Sequence, residues 1–239
     1  MLSLIETIFD VHDWASAFLA KHLFTLKKVI LVVAHLSLFG LLLPDMRRDF
    51  GQIAEIMLLG ILFLSPLSRI FRIRLLLQLM GLRRELGIFM AYLATVHGVG
   101  YLIDPEWVAV FVEPYLLGNV FPINLTYFFG GVAYVLTLPL LFTSNDLMQR
   151  FLDSRTWKRL HRLVYIVLVL VLLHHFSIDG GMDASGWFQT IAILGSYIFM
   201  KLLAWKKDFL PLLNQVIGVV ATRYRDYEVT KKKNIQIEK

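Results

Sequence analysis

The sequence predicts an all-α integral membrane bundle of about six transmembrane helices. Three observations carry this. Of 239 residues, 57% are hydrophobic and only 18% are charged, with mean hydropathy +0.65. The charges gather into short clusters between apolar runs long enough to cross a hydrocarbon core of about 30 Å. Lys and Arg concentrate in alternate connections, as they do when the basic loops stay on one side of a bilayer. Six helices of about 20 residues each use roughly half the chain, which leaves short connections and no room for a large soluble domain.

The elements follow in order. Residues 1–25 mix Glu6, Asp10, Asp13 and Lys21 with Leu, Ile, Phe and Trp, a pattern that predicts an amphipathic helix at the interface. No basic region precedes an apolar core there, so the start does not read as a cleaved signal peptide. Residues 26–205 form the six-helix domain. Its first span runs from about Val29 to Leu43, flanked by Lys27 and Lys28 and stopped by Pro44. The second covers about Ile53 to Ile70 and the third about Leu86 to Ile103. Between them, residues 75–82 (LLLQLMGL) are bracketed by Arg69, Arg72, Arg74, Arg83 and Arg84 and predict a helix or turn at the interface. Residues 104–121 hold Asp104, Glu106, Glu113 and two prolines among aromatics, with no Lys or Arg, and read as an outer connection. The fourth span covers about Ile123 to Phe142, with a kink expected at Pro139. The fifth covers about Leu160 to Phe176 and the sixth about Trp187 to Leu203. Residues 206–239 form a basic tail whose KKK run suits anionic headgroups better than nucleic acid.

Orientation comes from the basic loops. Arg69 to Arg84, Arg150 to Arg162, and Lys201, Lys206 and Lys207 lie at one face. With an even number of spans, both termini are then cytoplasmic. Arg47 and Arg48, in the first outer loop, are exceptions that Asp45 and Asp49 partly offset. Tyr101, Trp107, Tyr115, Tyr127 and Trp187 fall where an outer aromatic belt would lie.

With no cysteine in the chain, disulfides, thiolate metal sites, iron–sulfur clusters and covalently attached haem are excluded. A metal could be held only by His, Met or carboxylate. His35, His97, His161, His174 and His175 lie within or beside spans, where an ionisable group is a functional candidate; His12 and His22 read as interfacial. His97 and His174 fall at similar depth near the outer ends of two different helices, as two imidazoles sharing one iron between facing helices require. His161 lies thirteen residues before His174, roughly 20 Å away along a helix. An ideal helix would align His161 with His175 better than with His174. A distorted helix, different facing directions, or His175 as ligand would each resolve this. His35 could line a pocket or hydrogen-bond a neighbouring helix. Gly81, Gly87, Gly98 and Gly100 permit close approach of a ring or a helix. Met90, Met148, Met182 and Met200 read as packing. No glycine-rich dinucleotide-binding turn is present, so electrons must come from another molecule.

The stretch TSNDLMQRFLDSRTWKRLHRLVYIVLVLVLLHH (143–175) resembles the signature of ferric-reductase-like transmembrane domains. Its matching elements are Thr143-Ser144, Arg150, the run Trp157 to Tyr165 around His161, and His174. Within that family it is most similar to the haem-binding membrane subunit of the bacterial periplasmic methionine sulfoxide reductase system (the MsrQ type). LKKVILVVAHLSLFGLLLP (26–44), SPLSRI (65–70) and LRRELGIFMAYLATVHGVGY (82–101) resemble that subunit's first three spans. The resemblance implies a six-helix haem b protein of the bacterial inner membrane that takes electrons from a cytoplasmic flavin reductase, FMN or the quinone pool. It implies delivery to a periplasmic molybdenum-cofactor methionine sulfoxide reductase. It also implies His97, His161 and His174 as haem ligands, favouring His174 over His175. One departure stands out. Two-haem relatives carry another histidine on the third span, where this chain has Arg83 and Arg84. Those arginines could pair with haem propionates or simply mark the cytoplasmic face, and the number of haems, one or two, stays open. A stand-alone transmembrane reductase of ferric iron or oxygen is the alternative within the family.

Overall fold

The computed structural model describes the backbone of residues 2–104, 125–178 and 184–205, and the side chains of 10–104, 125–178 and 188–205. Trp107, Tyr115, Met182, residues 105–121 of the outer connection and the basic tail lie outside the described residues, as does the Trp187 side chain. Every described element is helical. Helix α1 spans Leu2–Ser37, α2 Arg47–Phe71, α3 Arg74–Leu79 and α4 Arg83–Leu102. They are followed by α5 Leu125–Phe142, α6 Asp146–Phe151, α7 Ser154–Leu160, α8 Leu163–Ile178 and α9 Ala184–Trp205.

Helix α1 runs unbroken through residues 25 and 26, because no Gly or Pro interrupts the chain before Gly40. Its 36 residues reach about 54 Å, well beyond the hydrocarbon thickness. One end of it therefore lies outside the bilayer interior. The expected amphipathic segment and the first span are thus one helix, closed by a 3₁₀ turn over Leu38–Leu42 ahead of Pro44. The interfacial stretch 75–82 forms α3 and a 3₁₀ turn over Met80–Leu82.

Five described segments are long and apolar enough to cross a membrane: Asp10–Leu42, Pro44–Phe71, Leu125–Phe142, Ser154–Ile178 and Phe188–Trp205. Helix α4, the expected third span, is not among them. Its Arg83, Arg84, Glu85 and His97 make it more polar, and it has 20 residues. It packs against α1, α2 and α5, so its polar groups face protein more than lipid.

The packing makes two close helix pairs, α2 with α4 and α5 with α8, joined through α4 against α5. Helix α9 closes the bundle against α2 and α8. Ala54, Leu58, Leu62, Met90, Leu93, Leu140, Val167, Leu168, Leu172 and Tyr197 form the buried core. Trp14, Val32, Ile56, Val135, Phe142, Ile166 and Phe199 point outward and are exposed. A lipid-facing surface tolerates such residues and a water-facing one of this extent does not.

The expected fifth span lies within Ser154–Ile178 and carries a turn near its start. Residues 160–176 are not one helix: α7 ends at Leu160 and α8 begins at Leu163. His161 and Arg162 form the turn between them, tightened by Arg162 N–H to Arg159 O at 3.1 Å and Tyr165 N–H to Arg162 O at 3.0 Å. The angular argument that set His161 against His175 assumed an unbroken helix, and it fails at this turn.

Candidate functional site

One end of the bundle gathers the start of α2, the end of α4, the start of α5 and the end of α8. His97 projects from α4 and His174 from α8. Their ring centres are 6.0 Å apart with planes inclined at 73°. Both rings are half-buried or more deeply set, and Tyr101 stands edge-on to His97 at 5.1 Å.

Each imidazole is held the same way by the helix paired with its own. His97 Nδ1–H donates to the Arg47 carbonyl at 2.9 Å. His174 Nδ1–H donates to the Thr126 carbonyl at 2.8 Å. A carbonyl can only accept, so Nδ1 carries the proton in both rings and Nε2 keeps its lone pair. Four residues beyond each accepting carbonyl stands a glycine. A Cβ at Gly51 would lie 2.5 Å from His97 Nδ1, and one at Gly130 would lie 2.7 Å from His174 Nδ1. The missing side chains open a notch on α2 and another on α5, and an imidazole fills each. In sequence the two notches read RRDFG (47–51) and TYFFG (126–130). The repeated Phe-Gly is the signal that could have revealed them.

The glycines singled out from sequence sit elsewhere. Gly98 makes ordinary contact with Tyr134, Gly81 with Leu23, and Gly87 faces open space; only Gly100 is tight, against the Arg47 side chain. His175 turns away from the pair and donates Nδ1–H to Glu55 on α2 at 3.0 Å. Glu55 is an intramembrane carboxylate that the search for histidines passed over. His35 has both nitrogens engaged: Nδ1–H with Leu31 O at 2.6 Å, and Nε2 accepting from the Tyr92 hydroxyl at 3.2 Å. It thus bonds a neighbouring helix. His12 pairs with Asp13, and His22 lies against the Phe18 ring. Met90 is a core residue.

The other end holds His161. Its ring lies 4.0 Å from the Trp157 indole, inclined at 30°, and its Nε2 is 3.3 Å from Thr143 Oγ1. The Thr143 hydroxyl donates to Pro139 O at 2.7 Å. Trp157 Nε1–H reaches Thr143 O at 3.1 Å and locks the same corner. Arg84 is engaged with Ser144 O at 2.7 Å and Asp146 at 2.5 Å. Arg83 stands in electrostatic reach of His161, Tyr165 and Tyr197, and its buried Nε has no hydrogen-bond partner among the described residues. No histidine faces His161 among the described residues, and no cluster of three or more His, Asp or Glu gathers there. Two cavities of about 340 and 500 Å³ open at this end of α2 and α9, sharing Arg69 and Ala204; Lys201 and Trp205 line the first and Arg72 the second.

Residues 50–172 match the family described as ferric reductase like transmembrane component. The chain belongs to that family. The matched segment contains Gly51, His97, Gly130 and His161 and ends two residues short of His174. The chain is 31% identical over 203 residues to the protein-methionine-sulfoxide reductase heme-binding subunit MsrQ of Herminiimonas arsenicoxydans, covering 77% of this chain and 88% of that protein. The subunit of the same name from Ralstonia nicotianae is 31% identical over 54% of this chain and 56% of its own length. The magnetosome protein MamZ of Magnetospirillum gryphiswaldense is 29% identical over 53% of this chain, a match that spans 18% of that protein. No solved structure matches the chain.

Proposed function

We propose that this ferric-reductase-like chain is a haem b electron-transfer subunit of the bacterial inner membrane. It passes electrons from a cytoplasmic flavin reductase, FMN or the quinone pool to a periplasmic molybdenum-cofactor methionine sulfoxide reductase. The observation that carries this is the facing pair His97 and His174. Their ring centres lie 6.0 Å apart on facing helices, a spacing at which both imidazoles could hold one haem iron between them. Both Nε2 lone pairs are free of protons, and both Nδ1–H groups are held by carbonyls, the outer hydrogen bonds that orient ligating imidazoles and raise their basicity. At Gly51 and Gly130 each ring lies close against the backbone of the paired helix. The residues present fit the group.

His97 and His174 would hold the haem, which when bound supplies one-electron chemistry. The chain's own contribution is positional. Four helices hold two neutral imidazoles together, and the polarity and solvent access around a haem there would tune its potential. No general acid or base is needed for electron transfer itself. His161 is proposed as the ligand of a second haem at the opposite end, with Arg83 rather than a second histidine beside it. The basic cavities at Arg69 and Lys201 make that end the proposed side of electron entry.

A stand-alone reductase of ferric iron or oxygen would share this site, and the family description favours keeping it as the second reading. Co-purification with a molybdoenzyme supports the first reading, whereas ferric-chelate reduction by the isolated chain supports the second. The ligand assignment is tested by reduced-minus-oxidised spectra with pyridine haemochrome quantification. His97→Ala and His174→Ala are each expected to lose the α-band of their shared site, while His175→Ala keeps it. Unchanged spectra in the first two would sink the assignment.

A further inference from the structure

Arg47 meets α4 at three points. Its backbone carbonyl takes the Nδ1 proton of His97 at 2.9 Å. Its side-chain stem presses on Gly100, where a Cβ would lie 3.0 Å from Cδ and 3.1 Å from Cγ and Nε. Its guanidinium pairs with Asp104 just beyond the end of α4. Residues 97 and 100 are three apart and share a stripe of α4, and Asp104 follows just past the helix end. Arg47 lies along that stripe and is only 9% exposed. A charge so buried is costly unless it is paired, and the position therefore demands both Asp104 and the room left by Gly100. The arginine that breaks the expected charge asymmetry of the outer loops is thus built into the bundle, while its neighbour Arg48 is exposed.

We propose that Arg47 is a positioning residue: the Arg47–Asp104 pair, braced on Gly100, fixes the carbonyl that orients the His97 imidazole and sets the electron donation of its Nε2. This rests on the reading of His97 as a haem ligand. A firm hydrogen bond to Nδ1–H makes the imidazole a stronger donor, which favours the oxidised iron. Loosening the brace then raises the midpoint potential. Arg47→Lys keeps the charge but replaces the planar guanidinium, whose stem lies on Gly100 and whose Nη1 reaches Asp104, with a compact ammonium, and should have this effect.

The test uses the full-length chain in detergent or nanodiscs, with potentiometric titration and electron paramagnetic resonance of the oxidised haem. Arg47→Lys, Asp104→Glu and Gly100→Ala are expected to raise the potential and alter the resonance at unchanged haem content. Arg48→Lys is expected to match wild type. If Arg47→Lys fails to insert or loses haem, Asp104→Glu and Gly100→Ala give the same reading without touching the arginine. Wild-type potential and resonance in the haem-loaded variants overturn the proposal and leave the ligand assignment standing. A His97→Ala chain that keeps the full haem signal overturns the ligand assignment itself, so the two failures are distinguishable.

Discussion

Gly51 lies directly beneath the His97 ring, and the two residues exclude any side chain between them: a Cβ on Gly51 would come within 2.5 Å of Nδ1. The contact is made possible by a glycine inside a membrane helix, where its flexibility is restrained by neighbours and its lack of bulk is what matters. Gly130 has the same relation to His174.

The first prediction follows from this repulsion. Gly51→Ala and Gly130→Ala should displace the imidazole or the helix, with an overpacking cost of about 1–3 kcal/mol. Haem content or the α-band should fall in each. Gly60→Ala and Gly87→Ala, whose added Cβ atoms meet nothing within 4 Å, should leave both unchanged. Equal spectra across all four variants would show that the notches do not seat the rings.

A second prediction concerns Glu55 and His175, which join α2 to α8 through a 3.0 Å hydrogen bond. Polar pairs between membrane helices contribute about 1 kcal/mol. A double-mutant cycle with Glu55→Ala and His175→Ala, read by unfolding in detergent, should give a coupling of about that size. Additive losses would mean that the two side chains do not act together.

Asp153 supports a pH-dependent prediction. Its carboxylate caps α7, accepting the Thr156 hydroxyl at 2.6 Å and the backbone N–H groups of Thr156 and Arg155. The Thr156 hydroxyl above all, then those N–H groups, hold its pKa below the ordinary value of 3.8. A depressed folded pKa means that the cap stabilises fully above that ordinary value and is lost as pH falls through the folded one. Amide exchange at Arg155 and Thr156, corrected for intrinsic rate, should therefore accelerate only below about pH 4. Asp153→Ala should show fast exchange at neutral pH. Slow exchange in that variant would deny the cap its role.

The proposed orientation is open to direct labelling, since the natural chain contains no cysteine. Asp45 and Gln149 are both exposed and lie at opposite ends of the bundle. In intact cells an impermeant maleimide should label Asp45→Cys and spare Gln149→Cys until the membrane is broken. The reverse pattern would invert the topology.

The sequence by itself determined the membrane class, the long apolar helices, the shared depth of His97 and His174, and the family. These are local or additive properties. Apolar length sets a span, and residue number along a helix sets depth through a constant rise. The tertiary structure decided which groups face one another. It turned His174 toward His97 and His175 toward Glu55, because neighbours on a helix differ by about 100° in direction and only the packing partner selects between them. It broke the fifth span at His161, where a turn cancelled an argument from ideal helical spacing. It made Gly51 and Gly130 the rings' seats instead of the glycines beside His97, because a notch belongs to the opposite helix and is invisible from the helix that fills it. And it turned Arg47 from an anomaly of loop charge into a buried partner of His97 and Asp104, a relation that exists only once α2 and α4 pack.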